Sequence, residues 1–408
     1  MNNPTPTASE FTLPVNQTGD ALLSDVQTGQ VMKWLGISLR LLLGCLLISI
    51  VAVQILIVVC AFLWCLLLWK GVKYKPTILD LPILIYLACR VLSILFSTHI
   101  SLSIIAINRE LLFYVTYFIM AFYIGNTKEE ELFSLFRWLF YPTAIVTVYA
   151  IADVLLGSIY REHGLSGGGT ISLHLCFSFI ILLIYKDRPG LLKSSYHWWG
   201  LFIIFIAGII VSLTRGEWIS ATVVTIIYGW LYNKKALFGI LLIAVIAAST
   251  IPLVRERVLT FSSPLENTSD RLTLWKNALS HSGDHPILGF GPETFLVVFN
   301  DWQTMGDRHV GSWHNDFIHL YMESGIVGVL GWLGVLGTFS FVSLKVLRYG
   351  KDVSRRIGWM GILLIIAYLI TGCFSIPTFS ITNAILFRFL LVIVVVEYSK
   401  IKTAPTST

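Results

Sequence analysis

Residues 34–69 read WLGISLRLLLGCLLISIVAVQILIVVCAFLWCLLLW, an apolar run of 36 residues with no polar turn to divide it. A bilayer core takes about 20 residues of helix, so the run is long enough for two crossings, and length alone cuts it into 34–51 and 53–69. Alternation with a period of two is absent, so the run is not barrel strand. Helices are then the way left to satisfy the backbone in lipid.

The rest of the chain repeats this pattern. With 56% hydrophobic and 13% charged residues over 408 positions, the composition is too apolar for a water-facing surface. Further spans are expected at 79–97, 102–126, 133–157, 170–185, 199–214, 217–232, 236–253, 318–344, 358–376 and 380–398. The cut in the first run makes the total twelve. Basic residues test that parity, because Lys and Arg stay in short cytoplasmic loops. With both ends inside, the inner side collects Lys33, KGVKYKP (70–76), Lys128, YKDRPGLLK (185–193), NKK (233–235), KVLRYGKDVSRR (345–356), Lys400 and Lys402. The net charge of +6 is therefore topology, and no basic stripe interleaved with aromatics points to nucleic acid. The six cysteines all fall in spans, without a CxxC pair, so none staples an external loop.

The expected fold class is an all-α polytopic membrane protein of about 12 transmembrane helices with one large, mostly helical external loop. Residues 1–32 read as a disordered cytoplasmic tail, 33–253 as helices one to nine, 254–316 as the loop, 317–398 as helices ten to twelve, and 399–408 as a second tail. Within the loop, RLTLWKNALSHS (271–282) predicts a helix with an apolar stripe at 272, 275, 278 and 279, capped by Ser269 or Asp270. ETFLVVFNDW (293–302) predicts a second helix lying on the bilayer. GDHPILGFGPE (283–293) is a turn-rich break between them.

Three stretches could carry chemistry. In SLTRGEWIS (212–220), Arg215 interrupts an apolar run at the outer end of two spans. It either snorkels to headgroups or clamps an anion, since a guanidinium fork matches phosphate oxygens. Arg271, with Lys276 and, farther on, Arg308, would add cations at the same depth, which suits a diphosphate held at the membrane surface. In WHNDFIHLYMESGIVG (313–328), a helix beginning near Asp316 would make His319 and Glu323 i,i+4 neighbours. His314 would then sit at its mouth, either satisfying loop hydrogen bonds or acting as general base. Glu323, acting through His319, reads as an orienting or structural residue. Gly325, Gly328, Gly331, Gly334 and Gly337 recur every third residue, read as close helix packing. His281 and His285, with His309, invite zinc, but Pro286 ends any helix holding the pair and no HExxH or cysteine accompanies them, so no metal site is expected. Arg40, Arg90, Arg109, Arg137 and Arg388 must find partners within the bilayer, with Glu110 and Asp153 as available acids.

TRGEW, then DRLTLWKNAL…DHPILGFGPETF, then HNDFIHLYMESGIVG together resemble the O-antigen ligase and polymerase superfamily of bacterial inner-membrane proteins. The likeness extends from about the fourth span onward. It is most specific in His314-Asn315, nine residues, then Gly325 and Gly328, similar to the family's histidine, Asn/Ser/Gln, nine-residue gap and glycines. The resemblance implies an inner-membrane enzyme with cytoplasmic termini and a periplasmic loop. It implies transfer of a polysaccharide from an undecaprenyl-diphosphate donor to lipid A–core. His314 would be the catalytic base, Arg215 and Arg271 the diphosphate ligands, and Asn315, His319, Glu323 and Arg308 supporting residues, with inversion and without metal or cofactor. An O-antigen polymerase of the same superfamily would use similar donor chemistry. A lipid-linked-oligosaccharide flippase or other transporter is the rival of another class, but no internal repeat supports it.

Overall fold

The computed structural model describes residues 19–156, 170–186, 188, 190–232, 234–259, 269–299 and 311–403. Arg308 and His309 lie outside them.

In the first apolar run, α1 (Gly19–Cys45) ends and α2 (Ile50–Trp69) begins across a short turn. Ser49 makes the break, its hydroxyl accepting from the Ala52 amide at 3.3 Å as an N-cap. The division therefore lies a few residues before the cut expected from length. At its other end α1 reaches back to Gly19, so the later part of the expected disordered tail is helical. Extending an established helix adds a hydrogen bond per residue without a new nucleus, so a polar flank can remain helical.

The chain continues through α3 (Asp80–Leu95), α4 (Ile100–Asn126), α5 (Glu129–Leu155), α6 (Thr170–Ile184), α7 (Ser195–Val211), α8 (Arg215–Tyr232) and α9 (Lys234–Thr250). The expected external loop holds α10 (Pro252–Leu259), α11 (Ser269–His281) and the single turn α12 (Phe295–Val298). Three long helices close the chain: α13 (Asp316–Tyr349), α14 (Asp352–Gly372) and α15 (Ile381–Thr403). No strand occurs among the described residues. By length and apolarity α2, α4, α5, α13, α14 and α15 can each cross a membrane; α6 and α7 are apolar but shorter. The expected twelve crossings thus resolve into six helices that qualify alone and others packed among them. The chain is a multi-pass helical membrane protein.

α15 and α6 are buried along most of their length and form the centre, while α2 exposes apolar side chains such as Val51, Ile55 and Phe62 to the surroundings. The bilayer-depth arginines have found partners. Arg40 pairs with Glu131, Arg109 with Glu293 at 2.8 Å, and Arg137 donates to the Gly190 carbonyl at 3.2 Å. Arg388 lies 3.9 Å from the centroid of the Tyr114 ring and donates to the Ala384 carbonyl.

The described part of the loop has its own small core. Leu274 and Ala278 of α11 pack with Phe290, Phe295, Phe299, Trp313 and Met322. The buried face of α11 therefore runs through 274 and 278, not through 272 and 279; Leu279 is exposed. Of the expected surface helix over 293–302, the described residues 293–299 hold only the turn α12, whose Phe295 stacks with Phe299 just beyond it, both edging onto Trp313.

Candidate functional site

α13 begins one residue after its cap. The side chain of Asn315 accepts from the amides of Phe317 and Ile318, both at 3.0 Å, so Asn315, not Asp316, caps the helix. Asp316 is instead buried: both its oxygens accept from the Thr378 hydroxyl at 2.6 Å, and Tyr368 donates to it as well. These bonds tie the start of α13 to α14 and to the segment before α15.

His314 immediately precedes the cap, with φ of +48°, a left-handed conformation in which histidine is enriched among non-glycine residues. It is fixed on both sides, by the Asn315 cap and by Trp313, which is fully buried and whose carbonyl accepts from the Trp275 indole at 3.0 Å. The imidazole is half-buried. Burial, then the Arg271 cation and then His319, push its pKa down to about 4. It is therefore neutral near pH 7 and can accept a proton.

Arg271, in the first turn of α11, sits over the Phe374 ring at 5.7 Å. The same ring lies against Gly216, where an added Cβ would come within 3.1 Å of it. Phe374 is thus shared by the turn carrying Arg215 and the helix carrying Arg271. Glu217, buried beside Arg215 in the first turn of α8, is within electrostatic reach of Arg271. Asn315 donates to the Cys373 carbonyl, next to Phe374, at 3.4 Å. The first turns of α8, α11 and α13 and the end of α14 therefore meet around one ring.

Below His314 is a buried charge network. His319 and Glu323 do pair, Nε2 to Oε1 at 3.2 Å. Glu323 also accepts from Arg90 of α3 at 2.8 Å and from the Glu293 amide at 2.7 Å. Arg90, fully buried, reaches Glu110 of α4 through two nitrogens and Ser324 at 2.7 Å. The His319 ring stands edge-on to Phe379 at 4.5 Å, and its Nδ1 is buried without a hydrogen-bond partner among the described residues.

The network sits where α13 breaks. Gly325 has φ 58° and ψ −163°, outside helical geometry. The groups freed there are taken by the turn-rich 286–291 segment. Ile326 and Val327 donate to the carbonyls of Pro286 and Ile287, while Phe290 and Gly291 donate to those of Met322 and Glu323. Irregular backbone at this depth is thus satisfied by protein. The glycine repeat is accordingly not one packing seam: Gly325 is the break, Gly331 lets α3 approach at Tyr86, and Gly334 and Gly337 face nothing within 4 Å.

Of the residues expected from sequence, His314, Arg271, Asn315, His319 and Glu323 come together, and the turn carrying Arg215 reaches them where Gly216 lies against Phe374. Arg308 lies outside the described residues. Sequence reasoning missed Phe374, Glu293 and the Asp316–Thr378–Tyr368 cluster, since none sits in a periodic or charged pattern. Arg90 and Glu110 were legible as bilayer-depth charges in need of partners, but not as partners of Glu323. Of the histidines weighed for zinc, His281 bonds Asp284 at 3.0 Å and His285 stands edge-on to Phe290, while His309 lies outside the described residues. No metal-competent cluster of three ligands occurs among the described residues.

Residues 200–333 match the sequence profile of a family described as O-antigen ligase. The match is narrower than the likeness expected from the fourth span onward, but it contains Arg215, Arg271, His314, Asn315, His319 and Glu323. The chain is also 25% identical over 225 residues to an uncharacterized protein of Haemophilus influenzae, covering 49% of this chain and 56% of that protein. The chain thus spans little more than half the length of the curated relative it matches. Through the segment from α7 to the middle of α13, which holds the histidine, its cap and both arginines, the chain is similar to the O-antigen ligase family.

Proposed function

We propose that the protein transfers a polysaccharide from undecaprenyl diphosphate to a sugar of lipid A–core at the periplasmic face of the inner membrane. The observation that carries this reading is a neutral, half-buried His314 held in a left-handed turn within electrostatic reach of Arg271. An acceptor hydroxyl attacks the anomeric carbon as His314 takes its proton. The bond from that carbon to the diphosphate breaks with its electron pair going to the diphosphate, and the configuration inverts. Arg215 and Arg271 hold the leaving charge as planar, permanently charged forks.

The same pairing sets an order of events. Arg271 is one of the causes holding the imidazole pKa down. A diphosphate that neutralises Arg271 therefore makes His314 a stronger base, so the base strengthens when the donor arrives. Asn315 aims His314 by capping α13, and Glu323 aims His319.

The test is to disrupt the gene, complement with wild type or His314→Ala, and resolve lipopolysaccharide and the lipid-linked pool on gels. Bare core with long polymer accumulating on the lipid carrier, in both the disruptant and the His314→Ala strain, supports the ligase. Core bearing a single repeat unit, with no long polymer anywhere, identifies a polymerase. A His314→Ala protein that transfers normally removes the base assignment.

A further inference from the structure

α7, with 17 residues, separates the candidate site from the other end of the bundle by about 25 Å at 1.5 Å per residue. At that far end is a cavity of about 370 Å³, lined among others by Tyr185, Lys186, Arg188, Ser194, Ser195 and Trp198. It plays no part in the chemistry proposed for His314.

Its lining is unusual in the donors it leaves unused. Tyr185 is almost fully buried, yet its hydroxyl has no hydrogen-bond partner among the described residues. The Nε of Arg188 is likewise buried without a partner, although the same guanidinium pairs with Glu129 through another nitrogen. Buried donors are normally satisfied. Ser194, at the N-cap of α7, does not cap the backbone amides of the first turn; its hydroxyl pairs with the ring Nδ1 of His197 at 2.8 Å. The first amides of α7 are therefore without a side-chain cap, and a helix start favours negative charge. Lys186 has no carboxylate partner among the described residues; its ammonium lies over Trp198 at 4.6 Å and Trp199 at 5.4 Å. Trp199 is exposed, as tryptophans at a membrane–water boundary commonly are. Among the described residues the acids nearby are Glu129, committed to Arg188, and Glu397, which accepts from Ser354 and pairs with Lys400.

From the cavity, the two idle donors, the ammonium and the uncapped helix start, we infer that this is a binding site for a phosphate group, presented by an anionic phospholipid headgroup or as free phosphate. Phosphate oxygens accept from Tyr185, Arg188 and the α7 amides at once, and Lys186 balances the charge. A basic pocket between helices at the bilayer surface is a general form of headgroup recognition.

The test uses the purified full chain in detergent, offered equal phosphatidylglycerol and phosphatidylcholine and followed by native mass spectrometry. Wild type should retain phosphatidylglycerol over phosphatidylcholine by about fivefold, the effect of roughly one lysine near an anionic surface. The double variant Tyr185→Phe/Lys186→Ala should lose that preference. Phenylalanine keeps the ring packing against Phe136, and an unchanged melting temperature identifies a folded variant. Millimolar inorganic phosphate separates the sources. If it raises the melting temperature of wild type but not of the variant, and no lipid preference exists, the ligand is free phosphate. If the lipid preference survives phosphate, the ligand is the headgroup. A wild type with neither response, or a folded double variant that retains phosphatidylglycerol as wild type does, overturns the site.

Discussion

His314 is held by burial and by a neighbouring cation in the form that a base needs, and both influences can be read by titration. Its unfolded counterpart titrates near 6.5, the folded side chain at about 4. Between those values the unfolded chain binds more protons, so this residue makes stability fall as pH drops from 6.5 toward 4. The acid limb of kcat/KM should likewise lie near 4 if His314 is the essential base of the free enzyme. Labelled-imidazole NMR of Arg271→Gln should show His314 titrating higher than in wild type but still below 6.5, because burial, the larger cause, remains. An unmoved titration would separate Arg271 from His314. His314→Ala should lower transfer by about 10²–10⁴-fold, the range for a general base, while a donor-binding assay stays near wild type. At this scale the sequence was informative about residue type and poor about company. The His314-Asn315 pair could be read, and so could the pairing of His319 with Glu323, because helical spacing fixes i,i+4 contacts. Phe374, an apolar residue among many, gives no signal until the fold brings it between Gly216 and Arg271.

Among the elements, α13 departs furthest from its sequence pattern. Five glycines at a period of three suggest one smooth packing surface, yet their environments differ. Gly325→Ala should cost several kcal/mol, since its left-handed backbone disfavours a side chain by about 1–3 kcal/mol and its Cβ would strike the backbone at Ile287. Gly334→Ala meets nothing and should be neutral or stabilising by up to about 1 kcal/mol. Denaturation in detergent measures both, and equal effects would contradict the break. The charge network that spans α3, α4 and α13 responds in another way. Arg90→Met leaves Glu110 and Glu323 buried without their cation and should destabilise by about 3–5 kcal/mol. Adding Glu110→Gln and Glu323→Gln should recover part of that loss, measurable by the same denaturation. The boundary between α1 and α2 was not legible from length alone, because the cap at Ser49 sets it a few residues before the expected cut. Over 293–299, the described part of the 293–302 stretch, only one turn is helical because its phenylalanines are drawn inward onto Trp313, a tertiary pull that local pattern does not contain.

For the molecule as a whole, hydropathy identified a helical membrane protein, because lipid allows few alternatives for the backbone. Which helices qualify to cross on their own was less legible, since helices buried by neighbours can be short. Sidedness can be tested directly. In a variant lacking the native cysteines, Leu279→Cys on α11, where the native side chain is 74% exposed, should react with a membrane-impermeant maleimide in outer-membrane-permeabilised cells, whereas Lys402→Cys should not. The reverse pattern would invert the proposed orientation. One tie has a temporal meaning. Asp316 is held by Thr378, 62 residues farther along the chain, so the mouth of α13 cannot take its final set while that stretch is still being synthesised. A nascent chain therefore crosses the insertion machinery with its histidine already made but unaimed. A product released early by a premature stop should enter the membrane inert, and not act half-formed on the lipid-linked sugars around it.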